Sequence, residues 1–436
     1  MRISLASSIA FFSRSLGERG IPLTEAINVL ALFIKPHIAG WVFFLIPFFT
    51  LSAVELGVDV FFSEGHDHEL AGKRVGLITN HTGVNRDLVS TVELCKCLNL
   101  KAIFSPEHGF AGNSYAFEAI KDGQCGTIPV YSLHGKTRRP TKEMLDNVDI
   151  ILYDIQDVGV RCYTYITTLF YVMEECALRK IPVIVFDRPN PIGGDIVDGT
   201  MLDPAHRAFA SYINVAYCHG MTIGELARYF NEEYKIHCSL TVIPMKGWKR
   251  HMDFAHTGLQ WIPTSPHIPE ETTPIYYATT GLIGELGVIS IGVGYTTPFK
   301  IIGAPWVNGA TLTQKMNELK LKGVTFVETH FRPFYGLYKG ENCHGFLIRV
   351  TDRPMYKPAQ TQFAIIGMLK SLYPKEMGPA LTKLSGAKSV YFSNAVGTAD
   401  VAKIIVNEKY VIYKLIGLHR IERDQYIARR QKYLLY

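Results

Sequence analysis

The sequence predicts an α/β protein in which, beyond an apolar leader, a parallel sheet is flanked by helices. Three observations carry this. Short β-branched and apolar runs recur after residue 54, stretches with a helical stripe separate them, and each run stops at a polar cluster. Strands alternating with helices are the pattern of a parallel sheet covered by helices.

Taken in order, Arg74–Thr79 predicts a buried strand, with Asn80-His81-Thr82-Gly83 as its loop. Residues 87–98 fit a helix, since Leu88, Val92, Cys95 and Leu98 fall on one stripe. Lys101 to Phe104 predicts a second strand, and Ser105-Pro106-Glu107-His108-Gly109-Phe110 follows it. A turn needs only the proline and glycine, so Glu107 beside His108 asks for a further reason. The third strand, Asp149 to Asp154, runs into Ile155-Gln156-Asp157-Val158-Gly159. A helix from Tyr165 to Arg179 leads to the fourth strand, Pro182 to Asp187, which ends in Arg188-Pro189-Asn190-Pro191.

All four polar clusters leave carboxyl ends of strands, where ligands bind in an open parallel sheet. The sequence thus sends acids, amides, imidazoles and arginines to one rim, with Tyr163 and Tyr165 among them. No G-x-G-x-x-G, P-loop, G-x-S-x-G or H-E-x-x-H pattern is present, and Gly292-Val293-Gly294 is only a fragment. Carboxylates among hydroxyl-binding side chains suit general acid/base work on a polyhydroxylated substrate.

A second region begins near His219-Gly220. Thr222 and Glu225 make a capping box for a helix with Leu226, Tyr229 and Phe230 inward, so His219 stands just before a helix N-terminus. Trp261 to Pro269 is a proline-stiffened, aromatic-edged loop suited to walling a pocket or bracing two lobes. The basic tail, residues 421–436, is most simply a solvated helix face packed through Tyr426, Ile427 and Leu434.

Composition bounds the classes. The 436 residues suffice for two cores, and 47% hydrophobic with 19% charged content suits a globular chain. A formal charge of +6, without a long basic stripe before the tail, is no nucleic-acid footprint. Eight cysteines include Cys95-Lys96-Cys97 but no C-x-x-C, which argues against zinc. Gly40 to Ala53 is almost unbroken apolar chain after Lys35 and His37, short for a span and interrupted by Pro47. This predicts a secretory signal or an uncleaved anchor within residues 1–53, and hence an exported protein, periplasmic or anchored to the inner membrane.

Several stretches resemble one family. Arg74 to Gly83, Ser105 to Phe110, Asp154 to Gly159, Arg161 to Tyr165, Asp187 to Pro191, His219 to Ala227, Gly303 to Trp306 and Lys432 to Tyr436 are similar to the NamZ-type exo-β-N-acetylmuramidases, in order, from about Val54 to the last residue. The resemblance implies a Rossmann-like N-terminal domain at 54–225 and a C-terminal α/β domain at 226–436, with the site in the cleft between them. It implies hydrolysis of terminal β-1,4-linked N-acetylmuramic acid from peptidoglycan fragments, a cell-wall recycling reaction, with no metal or organic cofactor. Carried onto these positions, Glu107 is the catalytic acid or acid/base, beside apolar Phe104 and Phe110. His108 orients it or touches the sugar. Asp157 or Asp154 supplies the second carboxylate, and Gln156 and Asn80 hold hydroxyls or the acetamido group. Arg161 or Arg188 pairs with the lactyl carboxylate, or else with nearby aspartates. Tyr163, Asp187, Asn190, His219 and Glu285 complete the expected substrate contacts.

The sequence departs from the family at residues 284–297. Glu285 aligns with the family's acid only after a one-residue shift, Val293 stands where arginine is usual, and Ser265-Pro266-His267 replaces a Pro-Ser-Pro-Asn loop. Losing a cation and an amide leaves a second reading in view, a sugar- or muropeptide-binding protein that hydrolyses little.

Overall fold

In a computed structural model, residues 53–436 are described, apart from 117 and 388. Seven strands form the larger sheet: β1 Arg74–Thr79, β2 Asn99–Ser105, β3 Gly123–Cys125, β4 Ile128–Ser132, β5 Ile150–Asp154, β6 Val183–Phe186 and β7 Leu240–Ile243. Their order is β3-β4-β2-β1-β5-β6-β7, parallel throughout except for the β3/β4 hairpin at one edge. From β4 to β7 this is a doubly wound order, and its direction reverses between β1 and β5. The crevice that such a reversal opens lies beyond Thr79 and Asp154.

The central strands are buried on both faces, as their near-continuous apolar runs require. The helix Tyr165–Arg179 lies on the sheet through Ile166, Leu169, Phe170, Met173 and Cys176, a 3–4 spacing that makes one apolar stripe. Each such fully buried large side chain contributes about 1.5–3 kcal/mol of transfer free energy. Lys180, in the left-handed region at φ 56°, ends this helix and lets the chain turn back into β6.

Two expectations are corrected. Residues 87–98 are not one helix: only Thr91–Leu94 is α-helical, with a 3-10 turn at Cys95–Cys97. The Asn85 carboxamide accepts from the backbone N–H groups of Asp87 and Val89, holding a loop in which Leu88 sits at φ 64° and half exposed. The helix starts only where Ser90 caps it, accepting from the Glu93 N–H at 3.1 Å. The larger sheet also runs past the expected 225/226 boundary. The capping box at Thr222 and Glu225 opens the helix Ile223–Glu233, which is the crossover from β6 to β7. The described residues belong to one compact unit.

The C-terminal part holds a smaller antiparallel sheet, β8-β10-β9, of β8 Ile301–Ala304, β9 Val324–Phe331 and β10 Cys343–Val350. The helices Gly309–Glu318 and Pro358–Leu372 accompany it, and four further short helices lead to the tail helix Arg420–Arg430. All eight cysteines are unpaired. Among the described residues no helix is long and apolar enough to cross a membrane. The apolar leader lies outside the described residues but for Ala53.

Candidate active site

The loop after β2 presents Glu107 through two consecutive left-handed residues, His108 at φ 69° and Gly109 at φ 80°, closed by the Gly109 N–H on the Pro106 carbonyl. Glycine adopts this conformation freely and histidine does so at a cost, a kind of strain that collects at functional sites. The His108 ring is tied at 2.8 Å to the Ser114 carbonyl, which fixes the far side of the loop.

Glu107 is 7% exposed. Thr164 donates its hydroxyl to one carboxylate oxygen at 2.6 Å, and His134 Nε2 stands 3.5 Å from the other. Thr164 is also the cap residue of the helix Tyr165–Arg179. Phe104, expected beside the acid, is buried in the core with its ring 5.7 Å from that of Tyr131. A hydroxyl and an imidazole approach the carboxylate.

Three imidazoles besides His108 gather near this turn. His81 bonds the Pro263 carbonyl at 2.5 Å, and His267 bonds the Tyr335 hydroxyl at 2.8 Å while stacking near Tyr115. Burial holds the pKa of His81, His134 and His267 below the ordinary imidazole value, so these rings favour the neutral form. Tyr163 and Tyr165 donate to the Thr264 hydroxyl at 3.0 Å and its carbonyl at 2.6 Å. They thereby pin the Trp261–Pro269 loop over the rim.

Across the β1/β5 crevice, Asn80 Oδ1 accepts from the Thr82 N–H and hydroxyl, leaving Asn80 Nδ2 buried without a partner. Asp157 Oδ2 accepts from the Gly159 N–H at 2.8 Å, while its Oδ1 is buried and unpartnered. His219 Nδ1 accepts from the Met221 N–H, which assigns its proton to Nε2. That Nε2 is unpartnered and lies 3.8 Å from Asp157. Buried polar groups are normally satisfied, so open valences on neighbouring strand ends mark where a polar ligand completes the set. Next to them, a small cleft open to solvent is lined by Thr82, Asn85, Gln156, Arg188 and Gln260, among others.

Other expected contacts are taken up by the scaffold. Arg161, fully buried, donates to the carbonyls of Thr200, Val215 and Val396 and to the Ser211 hydroxyl. Burial lowers its pKa to about 10, and no aspartate pairs with it among the described residues. Arg188 grips Asp154 through two bonds of 2.6 and 2.8 Å and donates to the Val84 carbonyl, the aspartate pairing that was the expected alternative. Asp154 also accepts from Thr91, so it is not a free second carboxylate. Gln156 spends its amide on the Asp157 and Pro189 carbonyls. Asn190 bridges the Met221 carbonyl and the Ile192 N–H. Asp187 accepts from Thr222, Gly224 and Tyr436, and burial followed by the neighbouring Glu225 pushes its pKa up to about 7. Glu285 follows the helix Thr273–Gly284 half-buried, and its carboxylate makes no hydrogen bond among the described residues.

The tail is more than a solvated face. Tyr426 and Arg430 both donate to the His219 carbonyl, Arg423 donates to the Gly199 carbonyl, and the Tyr436 hydroxyl reaches Asp187 at 2.7 Å. Sequence reasoning also missed His134 and Thr164. The signal for His134 was the run Ile128–Ser132 between Gly126 and Gly135, a strand end like the other four.

The N-terminal profile of exo-β-N-acetylmuramidase NamZ matches residues 75–272 and the C-terminal profile matches 275–436. Peptidoglycan β-N-acetylmuramidase NamZ of Bacillus subtilis (strain 168) is 41% identical over 389 residues, covering 88% of this chain and 91% of the relative. Two crystal structures of DUF1343 family proteins from Bacteroides fragilis NCTC 9343 each cover 88% of this chain and 99% of their own. One is 37% identical with a TM-score of 0.81, the other 26% identical with a TM-score of 0.64. Sheet order, strand-end motifs and both profiles converge, and the chain belongs to the NamZ exo-β-N-acetylmuramidase family.

Proposed function

We propose that this protein is an exo-acting glycosidase that removes terminal β-1,4-linked N-acetylmuramic acid from peptidoglycan fragments, with Glu107 as proton donor. The relative from Bacillus subtilis is named a peptidoglycan β-N-acetylmuramidase and aligns over nine-tenths of its length. The observation that carries the mechanism is the Glu107 turn, a nearly buried carboxyl on a strained loop, oriented from one side by Thr164 and approached from the other by His134.

In this reading Glu107 gives its proton to the glycosidic oxygen as the bond to the anomeric carbon breaks, and the leaving sugar departs with that oxygen as a hydroxyl. Water supplies the new oxygen at the anomeric carbon. Asp157, with one carboxylate oxygen open, is placed to stabilise positive charge developing on the ring or to take the proton of that water. Asn80 Nδ2 and His219 Nε2–H offer donors to the acetamido oxygen or a ring hydroxyl. Tyr163 acts indirectly, by holding the covering loop. The leader before Val54 fits export toward the compartment where peptidoglycan lies, and sequencing the N-terminus of the mature protein tests that.

The decisive assay is chromophore release from a chromogenic N-acetylmuramide by the parent protein and by Glu107→Gln. Release by the parent and a loss of about 10²–10⁴-fold in kcat for the variant is the expected result. Equal background release from both, with sugar-dependent thermal stabilisation retained, would leave a binding protein instead.

A further inference from the structure

Muramic acid differs from glucosamine by a lactyl ether that carries a carboxylate, so a site selective for it calls for a cation. Of the two arginines that the sequence offers, Arg161 is spent on three carbonyls and a hydroxyl, and Arg188 has its charge paired with Asp154 through Nε and Nη2, Nη2 also reaching the Val84 carbonyl. The structure supplies another. The segment after β4 that brings His134 to Glu107 continues through Lys136 to Arg138. Arg138 is exposed, and its guanidinium lies 4.1 Å from the centroid of the Phe209 ring. The same Phe209 ring packs against His134 at 5.7 Å. Glu107, His134, Phe209 and Arg138 therefore form one continuous series of contacts leading from the acid to the surface.

The neighbouring cations are committed elsewhere. Arg139 pairs with Glu174 at 2.6 Å and stacks on Tyr171, and Arg207 stands 3.4 Å from the same Glu174. Arg138 makes no hydrogen bond or ion pair among the described residues. A guanidinium seated over an aromatic ring without a hydrogen-bond partner has N–H groups to spare for two parallel bonds to a carboxylate. Lys136 sits on the same segment, exposed, and has no such shelf.

We propose that Arg138, seated on Phe209, binds the lactyl carboxylate of the terminal sugar and thereby sets selectivity for muramic acid over glucosamine. This rests on the muramidase reading above for the identity of the sugar. The acid Glu107 meets the glycosidic oxygen at one side of the pyranose, and Arg138 meets the substituent projecting from the ring toward Phe209. The position takes over the role of a cation that the altered 284–297 segment lacks, where Val293 is packed against the core.

Titration calorimetry tests this, using Glu107→Gln protein so that ligands persist. The probes are N-acetylmuramic acid, its lactyl methyl ester and N-acetylglucosamine, each with and without Arg138→Ala. The acid is expected to bind about 10- to 100-fold more tightly than the ester or the glucosamine, the range of a charge-assisted pair. Arg138→Ala should bring the three ligands to one affinity, and Arg138→Lys should restore part of the preference at an unchanged Tm. Equal weakening of all three ligands, or an intact preference for the acid in Arg138→Ala, would overturn the proposal. Failed turnover of the chromogenic muramide with an Arg138-dependent acid preference would remove the hydrolase and leave this site standing. No binding of any of the three sugars would overturn both.

Discussion

The strand ends of β6 and β1 carry similar polar residues and treat them in opposite ways. Beyond β6, Asp187, Arg188 and Asn190 have their side chains engaged by neighbouring strands, loops or the tail. Beyond β1, and across the crevice on β5, Asn80 Nδ2 and Asp157 Oδ1 are as deeply buried and have no partner. Both groups looked equally suited to touch a sugar. Anchoring separates them, because a side chain tied to the scaffold through its hydrogen bonds holds the frame, whereas one with an open buried valence is completed by what binds.

The contrast can be broken most forcefully at Arg188. Arg188→Met strands the buried Asp154 carboxylate and should cost about 3–5 kcal/mol of stability, read as a fall in the denaturant midpoint. A variant that stays equally stable but loses sugar binding would place Arg188 in the site after all. Next in size is Arg161→Met, which leaves the Val215 carbonyl without its donor and takes one of two donors from the Thr200 and Val396 carbonyls, and should cost about 1–3 kcal/mol, with KM unchanged in whatever fraction folds. Asn80→Asp sharpens the other side. It keeps the oxygen that accepts from Thr82 and exchanges the open donor for an acceptor. We expect stability within about 1 kcal/mol of the parent and kcat/KM on the muramide down about tenfold or more. Equal kcat/KM would move the open valence off the substrate path.

The smallest effect is with pH. His81, His134 and His267 have folded-state pKa values below the ordinary 6.5, so below that pH the unfolded chain takes up protons that the folded chain resists. Stability from these rings is therefore complete above pH 6.5 and declines as pH falls toward their folded values. Tm measured from pH 8 downward should begin to drop near 6.5, and His134→Gln should soften that slope. Because Asp187, raised to about 7, acts in the opposite direction over the same range, the comparison with His134→Gln decides: an identical slope in both proteins would show that the His134 ring is not held neutral.

The sequence made some of this legible and hid the rest for physical reasons. Arg74–Thr79 and Tyr165–Arg179 are found at their observed limits, since an apolar run between polar clusters and a clean 3–4 stripe are local properties. Residues 87–98 misled, because the Asn85 side chain captures backbone amides that a helix would have used. β4 was passed over because Pro129 interrupts its run, and with it went His134. The fate of Arg161 was beyond local reasoning. Its acceptors come from residues 200, 211, 215 and 396, brought together only by the finished fold.

The tail that backs His219 and Asp187 has a consequence for the order of synthesis. Glu107, Asp157 and His219 leave the ribosome long before Tyr426, Arg430 and Tyr436, an interval on the order of tens of seconds at usual elongation rates. Until those last residues emerge, the loop bearing His219 lacks its rear support and the Asp187 carboxyl lacks one of its donors. The sheet can collapse early, but the rim acquires its final geometry only once residues 426–436 have emerged. A nascent chain stalled short of residue 426 should accordingly hold the α/β core and bind no sugar.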